Sequence, residues 1–473
     1  MSRQLLLIPQ SALPQTGVFG RDLPLNHYRR YLGEERNTLF YDASNGLHIN
    51  AFLALAATLR HNKALCLYLP ESESDPDHLR LLDFQTPSSL AKPRFNERLR
   101  QFIANPPPQS ALENSPITSP PPYTYPQAQI IIGKRGRGKT TYLANKLAWL
   151  KQQGYRTLVV LPYRNQSALH LMAKRLQIPC LSPDDALYKR PTVDALLLDE
   201  ASSLKPEQVL SLTHHYPHYT LAATLDGYEG YGQWFQHQLL PLLITRDNPQ
   251  CHTFQQAYRY APHDALESLL EQIFLYQHYP KPLDSKALCA PVSYAYLNPN
   301  DLAHNEALLR QVYALLNLAH YQTNPEDLKR LLDLPHQHLV VAHCGQEFET
   351  VVGVVYAVEE SALAEDLARD VMLGKRRPQG RLLLQQLLLR RQQLRDNHAW
   401  LRISRLAIHP DCRRQGIATT LLQTLQKYYP LPLGVSYHAN NGSHLFWQAF
   451  GFKEIIGNKP YNGFNTVQIL ESD

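Results

Sequence analysis

The sequence predicts an α/β protein with more than one domain, on the strength of three observations. A chain of 473 residues is long enough for two or three domains, each with its own core. Two glycine-containing loops, at residues 133–140 and 413–418, each follow an apolar strand and precede an apolar-periodic helix. A proline-rich stretch at residues 106–126 is typical of a stiff boundary between domains.

Composition and charge set broad limits on function. The formal net charge is +6, from 47 basic and 41 acidic side chains, which permits a polyanionic partner without requiring one. The 6 cysteines are scattered and form no C-x-x-C pair, so neither a disulfide framework nor a zinc site is expected. Pro9 ends the first apolar run too early for a signal peptide, and no apolar stretch reaches membrane-spanning length. We therefore expect a cytoplasmic protein without a membrane segment.

The chain divides into four predicted segments. They are a small N-terminal α/β accessory domain at 1–105, a linker at 106–126, a phosphate-loop domain at 127–285 and a final domain at 286–473. The accessory domain shows two strand patterns and one helical pattern but no motif that carries chemistry. The chemistry is therefore expected in the two larger domains.

The loop that opens the phosphate-loop domain reads G-x-x-x-x-G-K-[ST] after the apolar strand at 129–132. Glycines allow backbone N–H groups to surround phosphates, Lys139 reaches the terminal ones, and the Thr140 hydroxyl is a ligand for Mg²⁺. This context favours an ATP site over a merely flexible glycine-rich turn. The residues expected to bind ATP are Gly133, Lys134, Arg135, Gly136, Arg137, Gly138, Lys139, Thr140, Thr141 and Tyr142.

Two acids, Asp199 and Glu200, follow an apolar strand at 193–198. We expect Asp199 to hold Mg²⁺ together with Thr140, and Glu200 to orient and deprotonate the attacking water. The alternative is that both acids cap the next helix. Further strand patterns alternate with helical ones, which predicts a mostly parallel sheet with its sites at the strand ends.

Two later segments are weaker signals for the same site. A polar loop at 224–230 follows a strand, and Arg259 lies in a segment that can bring a cation to the γ-phosphate. We expect Arg259 to bind ATP, although an isolated arginine equally forms a surface ion pair.

The second loop, at 413–418, reads RRQGIA. Gly416 and Ala418 allow close approach, and the N–H groups of the turn point outward at the positive end of the helix dipole, which suits a pyrophosphate. The alternative is an ordinary turn with a basic rim. The R-x-x-G-x-A pattern, with a Gly-Phe after a helix at 446–452, resembles the acetyl-CoA loop of the GNAT acetyltransferases. The residues that this resemblance implies for acetyl-CoA are Leu406, Ala407, Ile408, Arg413, Arg414, Gln415, Gly416, Ile417, Ala418 and Thr419.

The whole set of motifs resembles one family, the tRNA(Met) cytidine acetyltransferases. The motifs that carry it are GRGKT, DEAS, GYEG, HYQTNPEDL, GKRRPQG and ISRLAIHP, and the resemblance covers the chain from about residue 129 to 472. The resemblance implies a RecA-like ATPase module of the helicase type followed by a GNAT domain. It also implies ATP-driven transfer of acetyl from acetyl-CoA to N4 of the wobble cytidine of elongator tRNA(Met), whose anticodon arm would be the partner. No protein partner is inferable.

The family motif suggests His320 as general base, supported by Tyr321, since the cytosine amine attacks a thioester poorly until a proton is removed. A core histidine with a local hydrogen bond is the alternative. The expected RNA-facing residues are Lys375, Arg376 and Arg377, with Arg381, Arg390 and Arg391 beyond them. A basic face in solvent is the rival interpretation.

Three features depart from the family. Trp447 stands where many GNAT enzymes carry a tyrosine that protonates the departing thiol, so either His444 supplies the proton or the thiolate leaves without an acid, while the indole packs in the core. Residues 231–234 lack the usual arginine, and a carboxyl-terminal tRNA-holding region is expected to be missing after Asp473. Two other functions therefore stay open: an ATP-regulated protein lysine acetyltransferase, and an RNA-remodelling ATPase that only senses acetyl-CoA.

Overall fold

The structure is a computed structural model. It describes residues 2–31, 35–107, 120–124, 127–162, 167–224, 235–258, 260, 264–275, 278–285, 290–319, 324–438, 441–456 and 465–470. The chain forms two compact units that interleave along the sequence. Unit 1 comprises Met1–Glu71, Asn96–Gln277 and Tyr321–Asp327, and unit 2 comprises Ser72–Phe95, His278–His320 and Leu328–Asp473. The domain bounds at 105, 126 and 285 remain a prediction.

Unit 1 contains a small parallel sheet near its amino terminus. Its strands are β1 (Gln4–Leu7), β2 (Val18–Phe19), β3 (Leu39–Asp42) and β4 (Ala64–Tyr68), in the order β1-β4-β3-β2. Every pairing within this sheet is parallel.

A second parallel sheet forms the centre of unit 1. Its strands are β5 (Gln129–Gly133), β6 (Thr157–Val160), β7 (Cys180–Leu181), β8 (Ala195–Leu198), β9 (Tyr219–Thr224) and β10 (Gln250–Thr253). Their order is β10-β5-β9-β8-β6-β7, and all pairings are parallel, as the alternation of strands and helices predicted. Successive residues of β8 are buried on opposite faces, because helices cover both sides of the sheet. Parallel strands bring the ends of β5, β8 and β9 to one edge.

Unit 2 is built on a mixed sheet of seven described strands. They are β11 (Val292–Leu297), β12 (Gln337–Cys344), β13 (Thr350–Glu360), β14 (Trp400–Ile408), β15 (Leu433–His438), β16 (Lys453–Glu454) and β17 (Asn465–Leu470). Their order is β11-β12-β13-β14-β15-β17-β16. Only the β14–β15 pairing is parallel among them. Valine-rich β12 and β13 are buried along most of their length, which suits the β-branched side chains.

The helices connect and cover these sheets. In chain order they are α1 (Ile49–Ala56), α2 (His78–Leu81), α3 (Arg94–Ala104), α4 (Lys139–Gln152), α5 (Ala168–Arg175), α6 (Pro183–Lys189), α7 (Pro206–His215), α8 (Leu240–Asp247), α9 (Ala265–Phe274), α10 (Pro299–His304), α11 (Glu306–Leu318), α12 (Glu326–Asp333), α13 (Glu365–Met372), α14 (Leu382–Arg391), α15 (Ile417–Tyr428) and α16 (Asn441–Phe450). None of the described helices combines the length and apolar character that crossing a bilayer requires.

Candidate active sites

The phosphate loop joins the end of β5 to the start of α4, as predicted. Gly136 and Gly138 have φ of +71° and +79°, so both need the left-handed conformation that glycine adopts without strain. Gly138 is the N-cap of α4, which places the loop's N–H groups at the positive end of that helix.

The segment that follows β10 packs tightly against this loop. A Cβ on Gly133 would lie 2.4 Å from the backbone oxygen of Phe254, and one on Gly138 would lie 3.0 Å from the Tyr258 ring. The Tyr258 N–H also donates to the oxygen of Gly136 at 2.9 Å. Close packing therefore requires glycine at position 133, backbone conformation requires it at 136, and both require it at 138.

Lys139 is buried and turned into the loop. Its Nζ donates to the backbone oxygens of Gly133 at 2.7 Å and Lys134 at 2.8 Å. The side chain is 6% exposed. A cation held at this point lies beside the N–H groups that precede α4, which is the arrangement that binds a β/γ-phosphate.

Two further cations of the loop, Lys134 and Arg137, pair with acids of helix α9. Lys134 pairs with Glu271, and Arg137 donates to Glu267 at 2.8 Å. Neither acid was singled out from the sequence, because pairing over more than 100 residues leaves no local pattern. Lys134 and Arg137 are thus available to a phosphate mainly through their backbone N–H groups.

The predicted magnesium pair comes together at the edge of the sheet. The Thr140 side chain hydrogen-bonds to the Asp199 carboxylate at the end of β8, and Asp199 is 3% exposed. Burial and the neighbouring charge of Glu200 raise the pKa of Asp199 to about 7. A hydroxyl and a carboxylate are hard oxygen ligands, so this pair fits Mg²⁺.

Glu200 is held by the neighbouring strand. Its φ is +49°, an uncommon value for a residue with a side chain. Its Oε2 accepts from the Thr224 hydroxyl at 3.1 Å, and Ser202 Oγ donates to the oxygen of Thr224 at 2.7 Å. Thr224 therefore links the acidic motif to the end of β9, a role that sequence reasoning missed. Arg259 and residues 225–230 lie outside the described residues.

The second candidate site lies in unit 2, where β14 and β15 diverge. These strands pair only at residues 401–403 and 433–435, although β14 continues to Ile408 and β15 to His438. The far part of β14, including Leu406, Ala407 and Ile408, is paired with β13 on its other edge. The gap exposes a strand edge to which an extended ligand can hydrogen-bond.

A β-bulge explains where this divergence begins. Between Tyr356 and Ala357 the register of β13 against β14 shifts, so that Arg405 and Ile403 have partners and Ser404 is the extra residue. A bulge bends its strand and increases the local twist. The bend falls immediately after the last residue of β14 that pairs with β15.

The loop after β14 presents its basic residues to solvent. Arg413, Arg414, Gln415 and Gly416 are all exposed. Gly416 has φ of +79° and is the N-cap of α15, and nothing lies within 4 Å of the place a Cβ would take. Helix α15 then packs by Ile417, which is buried, while Ala418 and Thr419 lie in its first turn. The loop is therefore open to solvent at the N-terminus of a helix, where the helix dipole favours an anion.

Helix α16 places Trp447 in the core and His444 beside β15. Trp447 is buried beside Phe446 and Phe452, which is the packing role predicted for it. On the divergent part of β15, the Tyr437 hydroxyl lies 3.2 Å from His444 Nδ1. Burial raises the pKa of Tyr437 to about 12, so the hydroxyl keeps its proton at neutral pH.

The basic loop after α13 is only partly as predicted. Lys375, Arg376 and Arg377 are exposed. The expectation that Arg381 faces RNA is wrong: it is 6% exposed and its guanidinium donates to Phe84 and Ser361. Arg390 donates to the oxygen of Ile455 and Arg391 pairs with Asp396 at 3.4 Å, so both serve packing within unit 2. His320 and Tyr321 lie outside the described residues.

The two sites define the class of protein. A parallel sheet with a phosphate loop and a mixed sheet with diverging central strands correspond to a helicase-type nucleotide module and a GNAT acetyltransferase. Family models match accordingly: "tRNA(Met) cytidine acetyltransferase TmcA, N-terminal" at residues 8–109, "RNA cytidine acetyltransferase NAT10/TcmA, helicase domain" at 162–277 and "GNAT acetyltransferase 2" at 311–444.

The chain belongs to the tRNA(Met) cytidine acetyltransferase family. It is 30% identical to the enzyme of that name from Pectobacterium atrosepticum, over 91% of this chain and 67% of that one. It is 29% identical to the Yersinia pestis protein over 90% of this chain, and 28% identical to the Haemophilus ducreyi protein over 95%. The alignments cover 66% and 78% of those two relatives, so the chain spans about two thirds of the first relatives' length. The match to a solved structure of Arabidopsis thaliana NAA60 with acetyl-CoA covers 38% of this chain and 97% of that one, at 16% identity and a TM-score of 0.24.

Proposed function

We propose that this chain acetylates N4 of the wobble cytidine of elongator tRNA(Met), with acetyl-CoA as donor and ATP hydrolysis as a coupled step. Family membership supports the choice of acceptor. The observation that carries the proposal is the divergence of β14 and β15 in front of the open loop at 413–416, in a chain that also contains a phosphate loop.

The donor occupies the gap between the diverging strands. The backbone of Leu406, Ala407 and Ile408 pairs with the pantetheine arm as an added strand would. The N–H groups of residues 414–418, with Arg413 and Arg414 at the rim, bind the pyrophosphate at the N-terminus of α15. Binding at both points fixes the thioester carbonyl near the end of β14 and so supplies the geometry that a weak nucleophile needs.

The acceptor chemistry requires two proton transfers. The N4 nitrogen attacks the thioester carbon, the new N–C bond forms, the C–S bond breaks, the nitrogen's proton passes to a base, and the departing CoA thiolate takes up a proton to leave as the thiol. His320, supported by Tyr321, is the proposed base on the family motif alone. His444, held against Tyr437, replaces the missing tyrosine as the group beside the departing thiol.

The phosphate loop binds ATP with Mg²⁺. Lys139 contacts the terminal phosphates, Thr140 and Asp199 hold the metal, Glu200 orients water, and Arg259 approaches the γ-phosphate. Since a thioester already carries the energy for making an amide, hydrolysis serves to remodel or grip the anticodon arm. The exposed residues Lys375, Arg376 and Arg377 contact that arm by charge, in the cytoplasm where tRNA is modified.

The proposal is tested by incubating the full chain with labelled acetyl-CoA, Mg²⁺·ATP and total tRNA, followed by nucleoside analysis. We expect label in N4-acetylcytidine from tRNA(Met), no label there with Gly416→Glu, and less label, independent of ATP, with Lys139→Met. Label found only in protein, or ATP turnover without transfer of label, would overturn the proposal.

A further inference from the structure

One exposed aromatic side chain lies directly against the phosphate loop. Tyr258 follows β10, the strand that pairs with β5 on the side away from β9. More than half of the residue, 56%, is exposed to solvent. A single exposed tyrosine needs no explanation by itself, so the contacts of this ring decide its interpretation.

The position of this ring is fixed at two points. The backbone N–H of Tyr258 donates to the oxygen of Gly136 at 2.9 Å. The ring atoms Cδ2 and Cε2 lie 3.0 and 3.1 Å from where a Cβ of Gly138 would be, so one side of the ring rests on the loop and on the start of α4. The residue nevertheless remains more than half exposed, and the loop beneath the ring is the one proposed to surround the phosphates.

From these contacts we infer that Tyr258 is the residue against which the base of the bound nucleotide stacks. The inference rests on the proposed ATP site. It adds a contact for the nucleobase, which a phosphate loop does not bind. The base of a nucleotide is joined to its phosphates through the ribose, and an exposed aromatic ring that contacts the phosphate loop offers a surface on which that base can stack. Stacking on an aromatic side chain accepts any base, and a purine covers more of the ring than a pyrimidine.

The charged side chains of the loop support this assignment, in which the loop binds the phosphates and Tyr258 contacts the base. Lys139 is turned inward to the loop oxygens, while Lys134 and Arg137 pair with acids of α9. These three cations are thus engaged by the loop's own backbone or by α9. Tyr258 instead presents an apolar face, which suits a base and not a phosphate.

The test compares ligands with and without a base on the full chain. Dissociation constants for Mg²⁺ complexes of ATP, CTP and inorganic tripolyphosphate are measured by calorimetry for wild type, Tyr258→Ala, Tyr258→Phe and the control Tyr188→Ala, whose residue is 87% exposed on α6. We expect Tyr258→Ala to weaken the binding of ATP about tenfold or more, while the affinity for tripolyphosphate stays within about twofold of that of wild type. The ratio of the CTP to the ATP dissociation constant should be smaller in this variant than in wild type. Tyr258→Phe and Tyr188→Ala should match wild type.

The outcomes separate this inference from the nucleotide site itself. Unchanged ATP affinity in Tyr258→Ala would overturn the stacking role, and so would an equal loss of ATP and tripolyphosphate, because the ring would then only support the loop. If wild type binds neither ligand and behaves like Lys139→Met, the nucleotide site fails and the inference fails with it. Binding of both ligands by wild type, with loss confined to ATP and CTP in Tyr258→Ala, supports both.

Discussion

The two glycine-containing turns cap their helices alike but differ in their surroundings. Gly138 before α4 and Gly416 before α15 both have φ of +79°. A Cβ on Gly138 would meet the Tyr258 ring at 3.0 Å, whereas nothing lies within 4 Å of that place at Gly416. The same backbone requirement is therefore met in a packed loop and in an open one.

The difference matches the chemistry proposed for each loop. In the packed loop a phosphate reacts, so the buried Lys139 and the fixed backbone must keep their positions as charge develops. In the open loop the pyrophosphate of acetyl-CoA is remote from the thioester and only has to be held. Exposed Arg413 and Arg414 are sufficient for that purpose.

The largest expected effect distinguishes packing from backbone strain. Gly133→Ala puts a Cβ 2.4 Å from the oxygen of Phe254, so we expect about 3 kcal/mol of lost stability. In Gly416→Ala the only cost is the strain of an alanine at a left-handed φ, so this variant should lose about 1–2 kcal/mol of stability. Scanning calorimetry measures both. The matched control is Gly154→Ala, because Gly154 has a φ of +83° and open space around it. This variant should lose as much stability as Gly416→Ala, and its affinity for acetyl-CoA should stay unchanged. A smaller loss in Gly133→Ala than in Gly416→Ala would contradict the comparison.

The next effect separates the two ligands. Lys139→Met should weaken Mg²⁺·ATP about a hundredfold, because the buried ammonium beside the phosphates is lost. Gly416→Glu places a carboxylate in the proposed anion site and should weaken the binding of acetyl-CoA to a similar extent. Calorimetric titration of each variant with both ligands should show the other affinity changed by less than about twofold. Loss of both ligands in either variant would refute separate sites.

A second lysine of α4 should affect stability but not binding. Lys146 is 1% exposed, its Nζ donates to Gln129 Oε1 at 2.8 Å, and burial lowers its pKa to about 8. The unfolded chain therefore binds more protons between pH 8 and 10.5, so the free energy of unfolding rises with pH across that window. Lys146→Met should stabilise the protein at pH 7 by roughly 2 kcal/mol, allowing for the lost hydrogen bond, and remove the rise. Melting scans from pH 7 to 11 test this, and a destabilised variant with unchanged pH dependence would disprove it.

The smallest effect concerns the rim of the open loop. Arg413→Ala should weaken acetyl-CoA by only a few-fold, about 1 kcal/mol or less, since an exposed charge is screened by solvent. The loss should shrink as salt is raised, which titrations at low and high ionic strength measure. A salt-independent loss as large as that of Gly416→Glu would show that the loop is not open in solution.

The loops were predictable from sequence because their chemistry is local. The glycines, Lys139 and Thr140 stand at fixed spacing after an apolar strand, and Arg413 to Ala418 stand likewise before a helix. The parallel order of the second sheet also followed, since strands alternate with helical patterns. These features depend on neighbours within about one strand–loop–helix unit.

Long-range partners were not predictable. The acids Glu267 and Glu271 meet the phosphate loop from α9, and Phe84 and Ser361 bury Arg381, which sequence reasoning placed on an RNA-facing surface. A charged residue shows no sign in its own segment of whether a distant partner will cover it. The divergence of β14 from β15 was missed for the same reason, because it depends on a bulge against β13.

The most direct test of the central claim is single-turnover formation of N4-acetylcytidine in tRNA(Met), with and without ATP. The account predicts that wild type is stimulated by ATP, that Lys139→Met forms the product slowly and without response to ATP, and that Gly416→Glu hydrolyses ATP but forms no product. Equal rates of product formation in all three proteins would contradict it.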